Sequence, residues 1–448
     1  MRIAIVGTGI SGLAAAWLLG QRHEIMVYEA APRLGGHANT VAVPWQGRDL
    51  PVDTGFQVYN ERNYPDLTQL FARLGVPTQS SDMSFAVSVD DGRLEYAGSS
   101  LRTLFAQKRN LLRPGFHRMW SDILRFNAEA VDLLRNGGSG DLTLGEFLAE
   151  RGYGPAFCRH YLLPMGAAIW SATLDGICAF PAQSFVRFFA NHGLLSLDDR
   201  PQWRTVTGGA GVYVEKLSTS FASRVRRGCA VRAVRRLDRG LEVIDGCGGQ
   251  RRFDQVVLAC HADQALAAIE TPTGAERAIL GAFRYQANRA VLHRDPALMP
   301  RRRAVWSSWN YLARTDGRTD GAVSVTYWLN RLQNIDRRCL LLESLNPLRE
   351  PAPGTILAEL HYEHPQYDAR AAAAQARLGE IQGRGGLWFA GAHWGYGFHE
   401  DGLRSGLLVA AALGVSPPWW PPEPVAEVLP IRRSAARTMP ERAAAQAE

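Results

Sequence analysis

The stretch that decides the fold is Arg2-Ile-Ala-Ile-Val6-Gly7-Thr-Gly9-Ile10-Ser11-Gly12-Leu13-Ala-Ala-Ala-Trp-Leu-Leu19, completed by Glu24-Ile-Met-Val-Tyr28-Glu29. Arg2 to Val6 reads as a short strand, Leu13 onward as a helix, and Glu24 to Tyr28 as a second strand that ends on an acid. Strand, glycine turn, helix, strand and acid in this order are the opening unit of a dinucleotide-binding fold. Gly7 permits the tight turn, Gly9 lets backbone approach a pyrophosphate, and Gly12 lets the helix pack closely on the strand. Ile10 and Ser11 open the helix, whose free N–H groups and positive dipole end face the phosphates. Glu29, with Ala30 beside it, would accept hydrogen bonds from the adenosine ribose. An acid there favours an unphosphorylated ribose and leaves NAD or FAD.

Further along, Ala30-Ala-Pro-Arg33-Leu-Gly35-Gly36 supplies a second glycine turn with an arginine. With this segment the sequence resembles the flavin-containing amine oxidase superfamily, which also holds the carotenoid desaturases. The resemblance implies FAD, with Arg33, Gly35 and Gly36 approaching its phosphates and ribityl chain; none of the six cysteines falls near the last helix, so the flavin is expected to be held non-covalently. It also implies that Asp53-Thr54-Gly55-Phe56-Gln57 runs beside the isoalloxazine and that Val231 lies against the adenine. Gly386 to Gly391 is the late strand and turn, and a last helix is expected over 403–413 with Gly402 and Leu403 at its flavin-facing start. That N-terminus would stabilise negative charge on reduced flavin. The fold class is therefore α/β: a discontinuous Rossmann-type FAD-binding domain with an α+β substrate domain, amine-oxidase-like.

The chain divides on this reading into FAD-binding parts 1–80, 205–284 and 380–416, substrate parts 81–204 and 285–379, and a Pro/Arg/Ala-rich tail, 417–448. The first substrate part is mainly helical, with periodicity over Met119–Leu134 and a capping box at Thr143-Leu-Gly-Glu146. The second is mainly sheet, with runs at Tyr285–His293, Ala304–Tyr311, Ala322–Leu329 and Thr355–His361. In the later FAD-binding parts, a helix is expected over Val212–Phe221, strands over Ala230–Arg235 and Phe253–Ala259, and an N-cap at Asp263.

The sequence is similar above all to a bacterial subfamily of predicted NAD/FAD-binding flavoproteins. The similar stretches are Pro164–Ser171, His192–Leu195, Arg200–Trp203, His293–Tyr311 and Gly395–Gly406. That subfamily is associated with enzymes that methylate or cyclopropanate unsaturated acyl chains. The resemblance thus implies desaturation of a methylated or unsaturated fatty-acyl chain. Other readings are a double-bond isomerase, an amine oxidase, and a non-catalytic flavoprotein partner of a lipid methyltransferase.

Two departures from the superfamily bear on the chemistry. Gly391-Ala392 stands where Gly-Asp or Gly-Glu would hold the ribityl hydroxyls, leaving that role to His393 or to a backbone group. Many amine oxidases also hold a water near flavin N5 with a substrate-domain lysine. Of 50 basic residues here, only Lys108 and Lys216 are lysines. Arginine, with its permanent charge and fork geometry, does not replace such a lysine.

The densest candidate cluster is Tyr396-Gly-Phe398-His399-Glu400-Asp401. Tyr396 and Phe398 would wall a substrate channel, and His399 or Glu400 would take a proton. The plainer reading is that both carboxylates cap the helix and that His399 serves backbone groups. His261, and His293 with Asp295 beside Trp306–Tyr311, divide similarly between cavity lining and ordinary core. Residues 101–120 interleave bases with large apolar side chains. They read either as a membrane-surface contact or as an amphipathic helix with a solvated basic face.

The 448 residues carry a formal charge of +7. No nucleic-acid module is recognisable, and neither His-Glu-Asp nor the cysteines show metal-ligand spacing, so no metal is expected. Six scattered cysteines, no apolar run of bilayer length and a glycine-broken N-terminus favour a cytoplasmic protein, free or peripheral on the inner membrane face. The expected partner is a hydrophobic or lipid acyl substrate, and the oligomeric state stays open.

Overall fold

The computed structural model describes residues 1–136, 142–195, 201–314 and 323–421. Arg2–Val6 is the central strand of a five-stranded parallel sheet. Across it the order runs Val225–Arg226, Glu24–Tyr28, Arg2–Val6, Gln255–Leu258 and Leu387–Phe389. Ile3, Ala4 and Ile5 are fully buried, as expected for a parallel sheet covered on both faces. Helix Ile10–Leu19 lies on one face and packs against the last helix, His399–Ala412. An antiparallel meander, Val231–Arg236, Leu241–Asp245 and Gln250–Phe253, shares a core with the other face.

Glycine is required where these layers touch. Gly7 has φ +101°, and a Cβ there would come 2.5 Å from the Ala259 carbonyl oxygen. A Cβ on Gly12 would come 2.0 Å from the Gly7 oxygen, and one on Gly406 2.1 Å from the Ser11 oxygen. Both distances lie far inside van der Waals contact, so the first helix can approach the turn at Gly12, and the last helix at Gly406, only through hydrogen.

A second sheet has seven strands, ordered Ile356–Gln366, Arg284–His293, Leu342–Leu345, Ser324–Trp328, Trp309–Ala313, Phe85–Val89 and Leu94–Ala97. All its pairings are antiparallel except that between Trp309–Ala313 and Phe85–Val89. A helical layer packs on it, with Pro114–Asn136, Leu144–Glu150, Leu163–Trp170 and Ala182–Asn191 as its main members. The Thr143–Glu146 capping box is present on both sides.

Several expectations are corrected. The run Phe253–Ala259 is divided: Gln250–Phe253 ends the meander, and Gln255–Leu258 joins the parallel sheet. Between them the Asp254 carboxylate accepts the Arg2 amide at 2.6 Å. Over Ala304–Tyr311 only Trp309 onward is strand, because Arg303–Val305 is a 3₁₀ turn. Strand Leu342–Leu345 carries too short a pattern to be seen in advance. The helix expected over Val212–Phe221 ends at Ser218 and passes into 3₁₀. His261, not Asp263, occupies the N-cap position of helix Ala262–Ala268. Residues 101–120 are not one helix. They form a capped turn at Leu101–Leu104, a 3₁₀ turn at Lys108–Leu112 and the start of Pro114–Asn136. Arg200, Ala322 and all of the tail after residue 421 lie outside the described residues.

Candidate active site

The two glycine turns face each other. Gly36 has φ +57°, and a Cβ on it would lie 3.0 Å from the Gly9 Cα. Gly35 donates its amide to the Thr8 carbonyl at 3.0 Å. A Cβ on Gly9, by contrast, would meet nothing within 4 Å. Gly9 is also the N-cap of helix Ile10–Leu19, and no side chain caps it. An uncapped helix start opening on empty space at a glycine fits a pyrophosphate. Ile10, Ser11 and Gly12 are buried behind that opening. Arg33 is exposed beside it and donates to the Gly36 carbonyl at 2.8 Å.

The Glu29 carboxylate accepts the amides of Thr8 at 2.9 Å and Ala31 at 2.8 Å, and also the Thr8 hydroxyl. These bonds fix its orientation, and carboxylate oxygens have further acceptor sites. Ala30 is exposed next to it, and Val231 opens the neighbouring meander opposite Asp245.

Residues 54–57 run between the second glycine turn and the last helix. Phe56 donates its amide to the His37 carbonyl at 2.8 Å, and a Cβ on Gly55 would come 2.0 Å from that same oxygen. Thr54 Oγ1 lies 2.9 Å from the Tyr362 hydroxyl, and the Phe56 ring stacks on His399 at 3.8 Å.

The last helix starts at His399, four residues before the expected Leu403. Phe398 is its N-cap, and the Phe398 amide is accepted by Asp401 at 2.9 Å. Gly402 donates to the Phe398 carbonyl at 3.1 Å, so the amides of His399, Glu400 and Asp401 precede the first intrahelical bond. Gly402 and Leu403 are therefore not the helix start. The Leu403 side chain is fully buried, and a Cβ on Gly402 would meet Ile10 Cγ2 at 2.9 Å. Gly391 lies at the end of the late strand, its amide bonded to Ser405 Oγ at 2.7 Å. The His393 ring packs beside Gly391 between Phe283 and Trp394, and burial pushes it down to about 3.

Neither nominated proton acceptor is free. The His399 Nε2 lies 2.5 Å from the hydroxyl of fully buried Tyr213, and burial holds its imidazole down at about 3. Glu400 accepts the amides of Asp66 at 2.8 Å and Leu67 at 3.0 Å. Those amides lie in the first turn of another helix, Pro65–Leu74, so Glu400 fastens that helix to the last one. Burial and the nearby Asp66 carboxylate push Glu400 up to about 8, while the two amide donors oppose that shift. Asp66 is itself engaged with Trp419 and Trp420, whose indole nitrogens donate to it at 2.9 and 2.7 Å.

Tyr396 and Phe398 do join an aromatic cluster. Phe398 stacks on Phe188 at 4.8 Å, Phe188 lies 5.9 Å from Tyr396 and 4.6 Å from Trp170, and His192 stacks on Phe188 at 3.8 Å. Trp170 donates to the Tyr396 carbonyl at 3.1 Å. His261 stacks on Tyr285 at 4.3 Å, and His293 is a core histidine 2.8 Å from Ser344 Oγ. Asp295 caps its own 3₁₀ turn. Lys108 and Lys216 are both exposed.

Long-range pairing adds residues that local sequence does not mark. His37 is packed 5.1 Å from Tyr362 and 5.2 Å from His364, and its Nε2 is buried without a hydrogen-bond partner. Burial and the neighbouring imidazoles hold it well below the usual histidine range. Glu343 is 1% exposed and accepts Gln57 Nε2 at 2.6 Å, while its Oε1 has no hydrogen-bond partner. Burial pushes this carboxyl well above the usual range.

Comparison with known proteins gives this arrangement its class. The family described as flavin containing amine oxidoreductase matches residues 10–292. The chain belongs to that family, and FAD is its cofactor. A Mycobacterium tuberculosis protein assigned as a flavin-containing monoamine oxidase, AofH, is 27% identical over 265 residues. The match covers 57% of this chain and 56% of that protein, so the chain spans about half the length of the curated relatives it matches. The fold is shared with a fatty acid isomerase from P. acnes that produces CLA (TM-score 0.66, 17% identity, 92% of this chain and 99% of that one). It is shared equally with the cyclohexylamine oxidase of Brevibacterium oxydans (TM-score 0.66, 16% identity, 92% and 98%).

Proposed function

We propose that this chain is an oxidoreductase that removes hydride from an apolar substrate, a methylated or unsaturated fatty-acyl chain, with FAD bound non-covalently. FAD, when bound, supplies a two-electron acceptor. The observation that carries the reading is the aromatic wall of Trp170, Phe188, Tyr396 and Phe398 at the N-terminus of the last helix. These side chains exclude water and offer an acyl chain contact without a charged partner. The amides of His399, Glu400 and Asp401 present the positive end of the helix dipole to charge that develops nearby. Both lysines are exposed, which speaks against amine oxidation assisted by a buried lysine.

Access to acyl chains fits a peripheral membrane contact. Leu112 is 86% and Leu101 75% exposed, among exposed Arg102, Lys108, Arg109 and Arg118. Apolar side chains rimmed by bases suit an anionic lipid surface. No helix among the described residues is long and apolar enough to cross a membrane.

A second reading is favoured by one observation. Desaturation releases a proton as well as a hydride, and both nominated acceptors, His399 and Glu400, are engaged elsewhere. Double-bond isomerisation removes a hydride and returns it, with no net proton loss. Anaerobic mixing of flavin-loaded protein with acyl lipids separates the two. Bleaching of the flavin with a product two hydrogens lighter supports desaturation, whereas a product of unchanged mass and shifted double bonds supports isomerisation. Turnover of simple amines with peroxide release, and no response to lipid, would overturn both.

A further inference from the structure

We propose that Cys229 and Cys247 are a peroxide-responsive thiol pair that closes to a reversible disulfide and clamps the adenosine end of the FAD site. Val231 pairs with Asp245 at the end of the meander, and Gly246 continues the register by donating to the Ala230 carbonyl at 2.7 Å. The next positions on the two sides are Cys229 and Cys247. Their sulfurs and an Asp245 carboxylate oxygen all lie within 4.8 Å of one another. Residues placed opposite each other at a strand end have the spacing that a disulfide spans without backbone movement.

The pair is asymmetric in a way that suits reaction with a small oxidant. Cys247 is exposed, on a turn whose backbone is fixed by Asp245 Oδ1, which accepts the amides of Cys247 at 3.0 Å and Gly249 at 2.8 Å. Cys229 is 1% exposed. Hydrogen peroxide would act first on Cys247: its sulfur displaces water from the peroxide and becomes a sulfenic acid. The Cys229 sulfur then attacks that sulfur and a second water leaves. Two thiols and one peroxide give one disulfide and two waters. A metal ion suits the cluster less well, because the Arg226 guanidinium lies 3.6 Å from Asp245 Oδ2 and one carboxylate oxygen already holds two amides.

The consequence for FAD comes from the backbone. Cys229 donates its amide to the Glu29 carbonyl at 2.8 Å, Gly228 to Ala31 at 2.9 Å, and Glu29 to Arg226 at 2.9 Å. The segment that carries Cys229 is thus stitched to the acid beside the glycine turn. On the reading that Glu29 holds the adenosine ribose, a covalent link from there to the hairpin tip stiffens the backbone around that end of FAD.

The test uses the full-length, FAD-loaded protein and one equivalent of hydrogen peroxide. Two of the six thiols should be lost when counted in denaturant, with a peptide pair joining Cys229 to Cys247, two hydrogens lighter, and full recovery with dithiothreitol. FAD release should slow by about threefold or more. The exposed-turn variant Cys247→Ser should form no disulfide at Cys229 and release FAD at the same rate with and without peroxide. Thiols oxidised singly, a bridge between Cys158 and Cys178, or an unchanged release rate would each overturn the proposal. So would zinc alone, if it binds at one equivalent in the wild type and not in Cys247→Ser.

Discussion

At the scale of single residues, Gly9 and Gly12 carry opposite predictions although they belong to one turn. A methyl group on Gly12 meets the Gly7 oxygen at 2.0 Å, so Gly12→Ala should not give stably folded protein. Gly9 has φ −62° and open space around its absent Cβ. Gly9→Ala should therefore keep its unfolding free energy within about 0.5 kcal/mol yet bind FAD at least about tenfold more weakly, because the methyl group occupies the phosphate space. Thermal melts and fluorescence titration of stripped protein with FAD measure the two effects, and normal FAD affinity in Gly9→Ala would remove the turn from the site. His192 tests burial in the same spirit. Its imidazole is pushed down to about 4 by burial against Phe188. A group whose folded value is depressed contributes stability above its unfolded value, near 6.5, and loses it as pH falls through 4. His192→Phe should make the acid limb shallower by up to about 1.4 kcal/mol per pH unit. Denaturant titrations between pH 7 and 4 read this directly.

At the scale of elements, Glu400 is a fastener between two helices. Glu400→Gln replaces one acceptor oxygen by a donor facing an amide, so it should cost about 1–3 kcal/mol of stability. The rate of flavin reduction by substrate should stay unchanged, and a lost rate with intact stability would return Glu400 to the chemistry. This helix also shows what sequence reveals and what it hides. The glycine turns, the first helix and Glu29 were legible because their spacing is local and each residue type has one physical reason to be there. The start of the last helix was not. Gly402-Leu-Arg-Ser-Gly looks like a fresh beginning, whereas the actual cap is the Phe398 amide held by Asp401, and Glu400 finds its partners 333 and 334 positions away. Glu343 and His37 were hidden for the same reason: a buried carboxyl and an orphaned imidazole are made by sheet register and by packing between distant segments, neither of which leaves a short motif.

At the scale of the whole molecule, the described C-terminal end is pinned to the centre. Trp419 and Trp420 donate to Asp66, Trp419 stacks on Trp17 at 6.2 Å, and Arg404 approaches the same carboxylate at 3.5 Å. Replacing both tryptophans by alanine should cost about 3–6 kcal/mol through lost burial and two lost bonds to a charged group. Chemical denaturation measures that loss, and a change under about 1 kcal/mol would show the clasp to be incidental. Surface contact belongs to this scale too. Leu101→Glu with Leu112→Glu should weaken sedimentation with vesicles rich in anionic lipid by about tenfold or more and leave zwitterionic vesicles unaffected.

The strand order of the parallel sheet sets a timetable. Residues 2–6 and 24–28 are made well before their sheet neighbours, 225–226, 255–258 and 387–389, and the helix that seals the first helix ends at 412. The opening strand–helix–strand unit waits for all of those segments before it can close. In that interval the small-residue face of Ile10–Leu19, later covered through Gly402 and Gly406, stands open to water. Synthesis of these segments is thus a period of exposure rather than of stepwise completion.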